Sequence, residues 1–120
     1  MATHTIDPER GTCHGHFSKD LPPILEIEPG DSVHFRTLEA GWALEPFPSP
    51  GERGGVAHIE PREKDKDGGH CLCGPVAIKG AQAGMTLEIG IDRIVPGSWG
   101  WSGAGGPAQL GFDEDDRPWR

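Results

Sequence analysis

The chain has 120 residues, 19 of them Gly and 12 Pro, and a formal charge of −8, which confines it to one domain with a modest core and excludes a large two-domain enzyme. With 11 Lys and Arg against 19 Asp and Glu and no basic cluster, it repels phosphate backbones and anionic lipid, so neither nucleic acid nor a membrane is expected as partner. The opening MATHTIDPERGTCHGH has no apolar signal-peptide core, and no stretch approaches the ~18 apolar residues of a span, which predicts a soluble, cytoplasmic chain.

Three cysteines, Cys13, Cys71 and Cys73, are an odd number and too few for a secreted disulfide framework; reduced thiols or metal ligands are expected.

Wherever apolar periodicity is clear its period is two. Leu25 and Ile27 alternate with Glu26 and Glu28 up to the turn Pro29-Gly30-Asp31, after which Val33, Phe35 and Thr37 alternate with His34 and Arg36. This predicts an antiparallel hairpin. A second is predicted from Val76 and Ile78, the linker Gly80 to Gly84, and Leu87, Ile89 and Ile91, with a bulge near Ile94-Val95. Between the pairs, residues 43–69 read as a long irregular loop with Pro46, Pro48, Pro50 and the charge run Arg62 to Asp67. Trp99 and Trp101 share a strand-like spacing, and 103–120 read as an acidic, flexible tail. No window carries a sustained helical period. The expectation is therefore an all-β chain, a single domain over 1–120, built from hairpins as a sandwich or partial barrel. Four clear strands leave sheet edges uncovered, so the architecture reads as incomplete.

Several residues can carry chemistry. His14 and His16, with Cys71 and Cys73, offer two pairs at i, i+2 spacing, and two His with two Cys would satisfy a tetrahedral zinc site. Structural zinc sites, however, usually space their cysteines by two to four residues, and the alternative is small buried thiols and solvated imidazoles. His70 follows Asp67-Gly68-Gly69, where a flexible loop enters rigid structure, a common place for ligation or proton transfer. Glu39 precedes Ala40-Gly41-Trp42, and a carboxylate desolvated beside an aromatic can serve as base or metal ligand; an exposed turn residue and a core lid are the plainer reading of the same pair. Blue copper needs two His and a Cys with an axial Met, and no His lies between Cys73 and Met85. Ser18 has no nucleophile elbow around it.

The strings HGHFSKDLPPILEIEPGDSVHFRTLEAGWALEP and GHCLCGPVAIKGAQAGMTLEIGIDRIVPGSWGW together resemble the amino-terminal part of the acetamidase/formamidase family, over about His14 to Trp101. The order of the blocks PGDSV, TLEAGW, GHCLCGPVAIKGA and AGMTLEI carries the resemblance. It implies an incomplete part of a larger β-rich amidohydrolase fold, hydrolysis of short linear amides such as formamide or acetamide to a carboxylate and ammonia, and a homo-oligomer or a separate carboxyl-terminal half as partner. Glu39 falls where the family usually has Asp in T-x-D-A, and His70 falls on the His opening its H-x-L-x-G-P block. The resemblance thus implies His70 and Glu39 as catalytic or metal-binding residues, a divalent metal such as zinc as cofactor, and Trp42 as a substrate-binding residue. Gly74, Pro75, Gly80 and Gly84 fall on turn residues of the family. Its Gly-Gly-Asn-Ile-Asp and His-Ala-Ala-Gln-Gly-Asp-Gly-Glu stretches are absent from the chain. The alternatives are a non-catalytic fragment serving as an association module and a small zinc-binding β domain.

Overall fold

The structure, a computed structural model, describes residues 1–48 and 55–100. Among these there is no helix, in agreement with the all-β expectation. Six short strands occur: β1 (Thr3–Ile6), β2 (Cys13–His14), β3 (Leu25–Ile27), β4 (Ser32–Phe35), β5 (Leu72–Cys73) and β6 (Val76–Ile78). They pair as three separate two-stranded sheets, β1 with β4 and β3 with β6 in parallel, and β2 with β5 antiparallel. The described residues close no barrel.

The predicted hairpins are not formed, and the turns explain why. At Glu28 to Asp31, the Asp31 N–H donates to Glu28 O at 3.1 Å, and Gly30 has φ 92°. Pro in the second position and a positive-φ Gly in the third are the signature of a type II turn, whose twist splays the flanking strands instead of pairing them. Asp31 then binds β1: the Ala2 N–H donates to Oδ1 at 2.7 Å and His4 Nε2 to Oδ2 at 2.9 Å. So β4 runs beside β1, with Ile6 opposite Phe35. β3 is left to β6, where Leu25 faces Val76 and Ile27 faces Ile78, and Lys79 Nζ meets Glu28 Oε1 at 2.6 Å.

The same geometry recurs after β6. The Ala81 N–H donates to Ile78 O and the Met85 N–H to Gln82 O, each at 3.1 Å, with Gly80 at φ 79° and Gly84 at φ 90°. Two successive turns of this kind swing the chain away from β6. Residues 87–91, predicted as a strand, pair with nothing among the described residues and lie exposed.

The core is small: Cys13, Trp42, Ile59 and Cys71, with Leu38 and Cys73 packed against it. The predicted loop 43–69 supplies Ile59 to it and folds back on itself, since Ala43 bridges His58 and the Leu44 N–H donates to Ala57 O at 2.8 Å. Trp99 packs edge-on against Phe47, ring centroids 5.8 Å apart; Trp101 and the predicted tail 103–120 lie outside the described residues. No helix among the described residues is long and apolar enough to cross a membrane.

Candidate active site

Glu39 closes the loop that follows β4. Its Oε2 accepts the Gly41 N–H at 2.8 Å and its Oε1 accepts the Ala43 N–H at 2.7 Å. A Glu side chain reaches across four residues here and fastens both sides of Trp42, which sits at φ 71°, a conformation an L side chain adopts only when its surroundings impose it. Trp42 is 1 % exposed, and its Nε1–H donates to Gly69 O at 2.9 Å. Arg10 and Arg62 place their guanidinium carbons 5.3 and 5.8 Å from its ring centroid, cations against a π-face. In this conformation Trp42 is a core residue presenting no surface to a ligand.

The partner of that loop is the segment leading into β5. The Cys71 N–H donates to Ala40 O at 3.0 Å, so the residues around Glu39 and those around His70 lie side by side although about thirty positions separate them. Gly15 docks the other flank of this segment: its N–H donates to Lys66 O at 3.2 Å and its carbonyl accepts the Gly69 N–H at 2.9 Å. His70 itself is exposed, with no side-chain hydrogen bond or ion pair among the described residues.

Asp67 anchors the segment and escaped notice in the sequence, where it ends a charge run that reads as a solvated face. It is 4 % exposed, accepts the Glu63 N–H at 2.8 Å and pairs with Arg10 at 3.0 Å. Burial pushes its carboxyl upward, but the Glu63 N–H and the Arg10 guanidinium outweigh this and hold it below its usual value. Nothing in the sequence marks Asp67 out from Asp65, because the difference is made by Arg10, 57 residues away.

The donor sets named from the sequence do not converge on a metal. Both carboxylate oxygens of Glu39 accept loop N–H groups. Cys13 faces Cys73 across the β2–β5 ladder while His14 faces Leu72, so His14 projects from the face opposite the thiols. His14 Nδ1 instead donates to Gly74 O at 3.1 Å and His16 Nδ1 to Lys66 O at 2.7 Å. Among the described residues no group of three or more His, Cys, Asp or Glu is disposed to hold a metal ion.

No protein-family model, curated protein or solved structure matches the chain.

Proposed function

We propose that this chain is the amino-terminal part of a hydrolase that cleaves the carbon–nitrogen bond of short linear amides, releasing ammonia and a carboxylate. The observation that supports this reading is the meeting of the 39–43 loop with the 69–71 segment, held by the Cys71 N–H on Ala40 O and Trp42 Nε1–H on Gly69 O. These are the two blocks on which the family resemblance places its site residues. In this reading Glu39 positions the loop and His70 moves the proton: the imidazole accepts a proton from water as its oxygen attacks the amide carbon, then delivers it to the departing nitrogen. The remaining groups, including those that stabilise the oxyanion, come in this reading from a second copy of the chain or from the carboxyl-terminal half that the resemblance implies, and the assay on this chain tests the first of these. Ammonia release from formamide and acetamide, measured with and without added zinc, tests the reading. Activity is expected to fall ~10²-fold or more in His70→Ala, and wild-type protein that releases no ammonia in either condition would remove the proposal for this chain.

A second reading, an association module, is favoured by a different observation. Met85, Leu87, Ile89, Ile91, Ile94 and Val95 are 60 to 77 % exposed, an apolar arm on a chain that otherwise hides little. Between β6 and the arm lies an open groove of about 540 Å³ lined by Val76, Ile78, Met85 and Leu87 among others. We assign its occupant as the arm of a second copy, because the sequence is patterned to pair residues 87–91 with β6 and the turns prevent this within one chain. Sedimentation should find a concentration-dependent dimer in wild type and a monomer in Ile89→Asp/Ile91→Asp; a wild-type monomer throughout would dispose of this reading and leave the assay above untouched.

A further inference from the structure

The three thiols lie together although 13 and 71 are far apart in sequence. Cys13 and Cys73 are direct partners across the antiparallel β2–β5 ladder, and their sulfurs are 3.8 Å apart. The Gly74 N–H donates to Thr12 O at 3.0 Å, which places Cys13 and Cys73 between ladder hydrogen bonds, in the closer kind of cross-strand pair. Such pairs have Cα atoms ~4.5 Å apart, inside the range a disulfide spans. Cys71 and Cys73, by contrast, are neighbours at i, i+2 in an extended chain, ~6.6 Å apart, near the upper limit for bridging; the Cys71 thiol also meets that of Cys13, but both of these are buried, so a reagent reaches neither of them first. The thiols also differ in access: Cys13 and Cys71 are buried, while Cys73 is half-exposed, its Sγ directed at Arg36 O, 3.8 Å away.

We propose that Cys13 and Cys73 form a dithiol site that is oxidised to a disulfide by a small-molecule disulfide, with Cys71 remaining a thiol beside it. The Cys73 thiolate attacks one sulfur of the oxidant and expels one small thiol, leaving a mixed disulfide on Cys73. The Cys13 thiolate then attacks the Cys73 sulfur and expels the second small thiol. Two protein thiols lose two hydrogens, and one small disulfide is reduced to two thiols. Order follows access, since Cys73 is the thiol a reagent can reach and Cys13 lies behind it. Burial first, and then the neighbouring Cys13, push the Cys73 thiol up to about 12, so exchange is slow near neutrality and quickens with pH.

The test uses the full chain and bis(2-hydroxyethyl) disulfide, an uncharged probe that the charge of −8 does not repel, at a pH of about 9.5 and with long incubation, because a raised thiol is only slightly ionised there. After alkylation of the remaining thiols, peptide mapping by mass spectrometry should find Cys13 joined to Cys73 and Cys71 alkylated. Cys13→Ala should retain the mixed disulfide on Cys73, and Cys71→Ala should form the cross-link as wild type does. Wild-type protein that forms no cross-link, or one that includes Cys71, overturns the proposal without reference to any variant.

Discussion

The carboxylate of Asp31 joins the amino terminus, β1 and the turn before β4 through the Ala2 N–H, the His4 ring and the Glu28 N–H. The first two hold its carboxyl at about 2, against the usual 3.8. Because the folded value lies below the unfolded one, the ionised group stabilises the fold above 3.8, and this contribution is lost as pH falls from 3.8 to about 2. Asp31→Asn should therefore melt below wild type near pH ~6, with the gap closing as pH falls through that window; a gap that does not change with pH would show that the charge is not what matters. Glu39 follows a related logic without a titration: two loop N–H groups occupy its oxygens. A sequence can show that a carboxylate stands beside Trp42, but not which atoms it will satisfy.

At the level of elements, the strands at Leu25–Ile27, Ser32–Phe35 and Val76–Ile78 were legible from their alternation, whereas their partners were not. Alternation says which face of a strand is apolar; the turn decides what lies alongside, and turns with Pro29 or Lys79 before a positive-φ glycine send consecutive strands apart. β1 and β2 were not legible, being polar or two residues long, and of β5 only the entry into rigid structure after His70 could be read. Gly15 gives this level a measurable consequence. A Cβ there would lie 2.6 Å from the Asp67 backbone, in the contact that seats the 66–69 segment against β2. Gly15→Ala is expected to cost about 1–3 kcal/mol by overpacking, read as a lower urea midpoint with little change in slope; unchanged stability would mean that the segment gives way freely.

For the whole molecule, the question is what covers the arm. Its six large apolar side chains would each gain of order 1 kcal/mol on burial, and two copies exchanging arms reciprocally would bury on the order of 1,000 Å² in total. That area lies at the lower bound for a specific interface, so dissociation in the micromolar range is the expected outcome of the sedimentation experiment. The two proposed roles are separate, since a second copy of this chain carries the same sequence and brings none of the stretches that the family resemblance finds absent. The dithiol pair is independent of both, because Cys13 and Cys73 face each other within one chain.

From the sequence alone came the β class, the acidic surface and the two blocks that hold the candidate site, because period-two patterning, net charge and local motifs are properties of neighbouring residues. Tertiary structure decided the parallel pairing of β1 with β4 and of β3 with β6, the burial of Trp42 and Asp67, and the meeting of Cys13 with Cys73. Each of these joins residues well separated in the chain, and each was settled by packing and hydrogen-bond satisfaction, about which sequence periodicity carries no information.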